Sequence, residues 1–230
     1  MSGEGDRGGR IILVPTPIGN LGDITLRAIE VLKSADRIAC EDTRRSGILL
    51  SHHGITGKSL TSLHEHNESR KSPELVAAAK AGETIAFVSD AGMPGVSDPG
   101  YRLVQACLDA EVPFEVLPGP SAVLTALIGS GLPCHAFRFG GFLSVKSGKR
   151  RSAMNAALES GETGIFFESP HRILSTLAIL IEIAPTAKVC VARELSKKFE
   201  TYHRGTPGEL LEWFKSHGTK GEMVLLMNGA

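Results

Sequence analysis

The sequence predicts an α/β protein of two domains, the first built on a parallel sheet and the second on a mixed one. Three observations carry this expectation. Short apolar runs alternate with helix-period segments from end to end, the pattern of parallel βαβ units. LPGPS at 117–121 breaks the alternation near mid-chain, because two prolines around a glycine continue neither a helix nor a central strand. Beyond that break, two strand-like runs follow one another at 188–193 and 199–204 with no helix between them, which suggests a mixed sheet.

In the first domain, residues 1–118, strands are expected at 11–14, 37–41, 60–63, 84–89 and 114–117. Asp23 is expected to cap a helix whose apolar face is Leu26, Ile29 and Leu32. Further helices are expected at 43–51, at 73–81 with Pro73 in the permitted first turn and Gly82 closing it, and at 101–110. In the second domain, residues 119–230, Ser121 opens a helix, and helices follow at 148–159, 173–183 and 208–216. Strands are expected at 136–142, 164–168, 188–193, 199–204 and 222–227. Phe137, Phe139 and Phe142 lie along the first of these strands, and core packing is expected of them ahead of base stacking.

Composition excludes several classes. With 42% hydrophobic and 22% charged residues over 230 positions, the chain buries a core and is not disordered. Lys plus Arg and Asp plus Glu each number 25, so no net field draws it to a polyanion, and any such partner must meet a local patch. The longest nearly uncharged apolar stretches, 122–132 and 173–181, fall short of the roughly 20 residues that span a bilayer. Glu4 and Asp6 deny the N-terminus the basic start of a signal peptide, so a cytoplasmic protein is expected. Cys40, Cys107, Cys134 and Cys190 lie far apart without a CxxC pair and read as reduced core residues.

The 26 glycines concentrate where strands end, and the carboxyl ends of strands are where open α/β sheets bind ligands. Three loops stand out. VPTPIGNLGD at 14–23 stiffens a strand-to-helix turn, leaving Thr16 and Asn20 to orient a ligand or cap the turn. SDAGMPGVSDPG at 89–100 packs three glycines, two prolines and two Ser-Asp pairs behind an apolar strand. Asp90 is placed there to accept from ribose hydroxyls or sit near a cationic ligand, whereas Asp98 reads as the cap of the following helix. LPGPSA at 117–122 presents the start of a helix.

Other motifs fail. No GxGxxG follows the first strand, GITGKS at 54–59 has His52 where a P-loop needs glycine, and His64, Glu65, His66 and Glu68 lack the HExxH spacing. Basic residues at Lys146, Lys149, Arg150 and Arg151, at Arg44 and Arg45, and at Arg193, Lys197 and Lys198 track phosphates if several converge.

EDTRRSG at 41–47, LHEHNE at 63–68, the 89–100 loop, LPGPSA, FFESPHRI at 166–173 and RELSKKFE at 193–200 together resemble one family. It is the ribosomal RNA small-subunit methyltransferase I family of the tetrapyrrole-methylase superfamily, and the likeness runs from about Ile11 to Met227. The resemblance implies a two-domain tetrapyrrole-methylase-like fold in a homodimer. It implies 2'-O-ribose methylation of a cytidine in 16S ribosomal RNA or the small ribosomal subunit. S-adenosylmethionine is the implied donor, bound between the domains at Pro17, Asp90, Met93, Val96, Ser121, Ala122, Phe167 and Leu195. The proton acceptor is expected among Glu41, Asp42, His64, Glu68 and Glu168, and RNA phosphates at Arg44, Arg45, Lys149, Arg150, Arg151 and Arg193. The reaction demands no metal. Members usually continue into a small C-terminal domain that this sequence does not include. Two rivals stand beside this reading: a methylase of corrins, uroporphyrinogen or diphthine, whose second loop typically reads GDP rather than SDAGMP, and a nucleotide- or RNA-binding module without catalysis.

Overall fold

The computed structural model describes residues 8–229, so Glu4 and Asp6 lie outside the described residues. The chain divides into two compact units, Met1–Pro120 and Ser121–Ala230.

The first unit holds strands β1 (Arg10–Leu13), β2 (Arg37–Cys40), β3 (Ser59–Ser62), β4 (Thr84–Val88) and β5 (Phe114–Val116). All pairings are parallel, in the order β3-β2-β4-β1-β5. Helices α1 (Leu26–Ser34) and α2 (Thr43–His52) cover one face, with Leu32, Leu49 and Leu50 against Ile12, Ile38 and Ala86. Helices α3 (Glu68–Lys80) and α4 (Tyr101–Asp109) cover the other, with Leu75, Ala79 and Leu103 against Ile11, Ile85 and Phe87. Burial on both faces is why β1, β2 and β4 read as mostly apolar runs, whereas the edge strands β3 and β5 do not. It also fixes the ligand end of the sheet. β1 and β2 feed helices on one face while their neighbour β4 feeds a helix on the other, and ligands of open sheets bind where that reversal occurs.

Two local expectations are corrected, at the starts of α1 and α3, and one rejected motif finds its structural role. Helix α1 is capped by Thr25, whose hydroxyl accepts from the Ala28 amide at 3.1 Å, while Asp23 ends a short 3-10 turn. Starting at Leu26 rotates the apolar stripe onto Ala28 and Leu32 and leaves Leu26 81% exposed. Helix α3 begins at Glu68 and not at Pro73, which sits inside it; a backbone amide it lacks costs one helical hydrogen bond there. The GKS tripeptide is structural, with Lys58 Nζ donating to the Ala35 carbonyl at 2.7 Å just past the end of α1.

In the second unit, β6 (Phe137–Phe142) lies parallel to β7 (Thr163–Glu168). β10 (Met223–Asn228) runs antiparallel to β7 and to β8 (Lys188–Arg193), and β9 (Thr201–Gly205) is antiparallel to β8. This mixed sheet has the order β6-β7-β10-β8-β9. Its helices are α5 (Ala122–Ser130), α6 (Ser147–Glu159), α7 (Ile173–Ile183) and α8 (Pro207–His217). Met154, Phe166, Leu177, Leu180, Val191, Phe214 and Leu225 form the core. The phenylalanines of β6 are not core residues: Phe142 is 63% exposed, Phe137 is exposed, and Phe139 and Phe142 rest edge-on against the Phe167 ring. β6 is an edge strand, and its register slips between Phe139 and Phe142. The Phe166 ring presses so close to Gly140 that a Cβ there would lie 2.3 Å from it. Cys40, Cys107 and Cys190 are buried as expected, but Cys134 is exposed.

Candidate active site

The loops that follow β1 and β4 are tied together at the carboxyl end of the first sheet. Thr16 and Gly92 exchange two backbone hydrogen bonds of 2.9 Å, and the Thr16 hydroxyl donates to the Ser89 carbonyl at 3.1 Å. Gly92 stands at φ +77°, where a side chain is strained, and a Cβ would press on Ile18. Sequence spacing explains the glycine, but not the partner it would have. The rest of the long loop is held by Gly95 N donating to the Pro99 carbonyl, with Ser97 in the left-handed region at φ +62°. Met93 is half-buried and Val96 exposed on this loop, and Pro17 is buried beside Thr16 on the other.

Carboxylates converge beside this clamp. Asp90 Oδ1 accepts from the Asp42 amide at 3.1 Å, Asp90 Oδ2 faces Arg45 Nη1 at 3.3 Å, and the Asp90 amide donates to Glu41 Oε2 at 3.4 Å. The ends of β2 and β4 thus brace each other through reciprocal side-chain bonds. Burial pushes the Glu41 carboxyl up, and the neighbouring Asp90 charge adds to it. Asp98 does not cap α4. It lies beside Ser89, and burial followed by the charge of Glu41, with Asp90 adding to it, pushes its carboxyl up to about 6. Asp42 caps α2 through the Arg44 amide at 2.8 Å and pairs with the Arg44 guanidinium, which holds its carboxyl low. Arg45 and the outer face of Arg44, 89% exposed, are left to the surface.

After β3, two candidates prove to be engaged within the fold. Glu68 is buried and its Oε1 accepts from the amides of Gly100 and Arg102 at 2.7 and 3.0 Å, so it supplies the cap of α4 that Asp98 was expected to give. Asn67 Oδ1 accepts from the His64 amide, which leaves its amide nitrogen to donate to the Ser62 carbonyl and to His64 Nε2, both at 3.2 Å. His64 Nε2 is therefore an acceptor and Nδ1 carries the proton; Nδ1 is buried without a partner.

The second unit holds the remaining candidates. Glu168, fully buried, accepts from Thr176 Oγ1 at 2.5 Å and from Ser169 N at 2.7 Å and pairs with Arg172 at 2.9 Å. Arg172, four residues on, went unremarked in the sequence; the i, i+4 spacing was the available signal. Phe167 is half-buried beside it. Ser121 caps α5 by accepting from Leu124 N at 3.4 Å, with Ala122 opening the helix. Leu195 is buried between Glu194 and Ser196, both at positive φ, and Arg193 Nε donates to the Lys220 carbonyl. Of the basic run on α6, Lys149 is exposed and Arg151 pairs with Glu182, but Arg150 is only 5% exposed, so the three do not form one surface patch. The helix face that carries Met154 and Ala157 into the core carries Arg150 with it.

The model of the tetrapyrrole (corrin/porphyrin) methylases matches residues 10–211. The chain belongs to that family. This tetrapyrrole methylase is 48% identical to the ribosomal RNA small subunit methyltransferase I of Escherichia coli O157:H7, over 96% of this chain and 78% of the relative. It is 47% identical to the protein of the same name from Hydrogenobaculum sp. strain Y04AAS1, over 95% of each chain. Among solved structures, a diphthine synthase aligns with a TM-score of 0.74 at 16% identity, covering 95% of this chain and 89% of its own. The uroporphyrin-III-C-methyltransferase of Thermus thermophilus aligns with a TM-score of 0.66 at 21% identity, covering 96% and 94%. At those identities the two structures speak for the fold, and the curated relatives make the chain a methyltransferase.

Proposed function

We propose that this tetrapyrrole methylase transfers a methyl group from S-adenosylmethionine to the 2'-oxygen of a cytidine ribose in 16S ribosomal RNA. The observation that carries the reading is the 45–49% identity to relatives named ribosomal RNA small subunit methyltransferase I, sustained over at least 95% of this chain.

The first unit's residues fit the donor. Glu41, Asp90 and Asp98 form a cluster of three carboxylates with Arg45 beside Asp90, and Glu41 and Asp98 are raised by burial first and then by neighbouring carboxylate charge. Such a site gains by taking up a positively charged ligand with hydroxyls, as a sulfonium nucleoside is. S-adenosylmethionine supplies, when bound, a methyl already activated by its sulfonium. Asp90 and the Thr16–Gly92 clamp keep the strand-end loops in place for it, with Pro17, Met93 and Val96 beside them. Ser121, Ala122, Phe167 and Leu195 are assigned to the same ligand on the family resemblance alone.

Removing the ribose proton falls to Glu41. Glu68 and Asp42 are committed as helix caps, Glu168 to a buried ion pair, and His64 Nε2 to Asn67, whereas Glu41 accepts one long bond from the Asp90 amide, and burial, with the Asp90 charge beside it, raises its carboxyl, the direction in which a carboxylate becomes a better proton acceptor. Arg44, Lys149 and Arg193 meet RNA phosphates. The protein acts as a homodimer in the cytoplasm, where its ribosomal substrate is. Replacing Glu41 by Gln tests the chemical role: kcat falls while the affinity for S-adenosylmethionine is kept, and an unchanged kcat would remove Glu41 from proton transfer.

A further inference from the structure

Arg150 is a buried cation without an anion. It is 5% exposed, its Nε has no partner, and among the described residues no carboxylate pairs with it. A buried Nε–H without an acceptor gives up hydration that a hydrogen-bonding anion would restore. Its position sharpens the anomaly. Arg150 lies in the first turn of α6, a 13-residue helix whose N-cap, Lys146, offers no side-chain acceptor to the free amides. Cα–Cβ bonds in a helix tilt toward its N-terminus, the end where the helix dipole is already positive, and Arg150 leaves α6 one turn from that end. Lys146 and Lys149 are exposed on the same turn. Four sources of positive potential thus lie within the first turn of α6.

We propose that the start of α6 is a phosphate-binding site, with Arg150 as its buried anchor and the helix amides as its floor. Guanidinium and helix amides together match the oxygens of a phosphate, and the site takes a phosphodiester of the RNA substrate. Phe142, exposed at the end of β6, leads into this turn and gives the attached base a ring to stack on. The proposal rests on the RNA-methylation reading for its ligand, not for its chemistry. It assigns Arg150 a role other than that of one lysine-like charge on a surface patch: it is the one member of the basic run that long-range charge cannot replace.

The test separates the two readings because it needs neither methyl donor nor methylation. Inorganic phosphate is titrated into the full-length protein while the Nε–H resonances of its arginines are followed by NMR, with chloride as the control. The Arg150 resonance, assigned by its loss in Arg150→Met, shifts saturably with phosphate and not with chloride. A single-stranded oligocytidylate then reproduces that shift at a concentration at least about tenfold lower, and Arg150→Met weakens oligocytidylate binding by at least about tenfold while S-adenosylmethionine affinity is kept. If Arg150→Met does not fold, Arg150→Lys supplies the assignment, and a wild-type Arg150 resonance unmoved by phosphate overturns the site. Phosphate binding that oligocytidylate does not displace overturns the RNA source and leaves a site for a free phosphate. Intact phosphate binding in a protein that methylates no RNA counts instead against the proposed function.

Discussion

Asp98 sits beside Ser89, Glu41 and Asp90, and the sign of its effect on stability follows from its raised carboxyl. An unfolded aspartate titrates near 3.9, whereas Asp98 in the fold is pushed up to about 6. Between those values the native state holds a proton that the unfolded chain has released, so this group's contribution falls as pH rises from about 4 to about 6 and stays low above it. Asp98→Asn is expected to raise the melting temperature at pH 7.5 and to flatten its dependence on pH across that window; an unaltered profile contradicts the assignment. Asp90→Ala removes the acceptor for the Asp42 amide and the partner of Arg45. Calorimetry should find S-adenosylmethionine binding weakened by about tenfold or more with the fold intact. Asp90 was legible because it ends an apolar run at the head of an unusual loop. Asp98 was not, because the groups that lift its carboxyl come from the end of β2 and the end of β4, and proximity across a parallel sheet leaves no mark on local spacing.

Helix ends are where reading the sequence and reading the structure part. The alternation of short strand-like runs with helix-period segments places the ten strands and nearly all helices, and it is plainest at β1, β2, β4, β8 and β10, whose residues are mostly buried. The caps were another matter. Thr25 and Glu68 do the work expected of Asp23 and Asp98, and Glu68 reaches its amides from a different helix, a relation no local pattern encodes. Glu68→Ala should destabilise the first unit by about 1–3 kcal/mol, since the Gly100 and Arg102 amides at the start of α4 lose their acceptor, and the urea midpoint measures it. Glu168→Ala should cost about 3–5 kcal/mol by stranding Arg172 next to an apolar core. Were either carboxylate the proton acceptor instead, its conservative Gln variant would keep stability and lose kcat. In β6 the phenylalanines suggested a core face, but β6 is an edge strand that leaves Phe137 and Phe142 exposed, with a slip in register between Phe139 and Phe142.

Across the whole molecule, sequence composition excluded a global attraction to polyanions, and the structure distributes the basic residues accordingly. Arg44, Arg45 and Lys149 are exposed, Arg151 and Arg193 are engaged by neighbours, and Arg150 is buried. RNA affinity should therefore come from a few phosphate contacts and show a shallow salt slope, about one unit for each contact made. Sedimentation at micromolar concentration should find a dimer, and a monomer contradicts that part of the proposal. The central claim is tested most directly by incubating the purified protein with unmethylated small ribosomal subunits and methyl-labelled S-adenosylmethionine, then mapping the label by resistance of the RNA backbone to alkali. The account predicts label on one cytidine ribose of 16S RNA, lost in Glu41→Gln; label on a base, or none transferred to RNA by a protein that binds the donor, would contradict it.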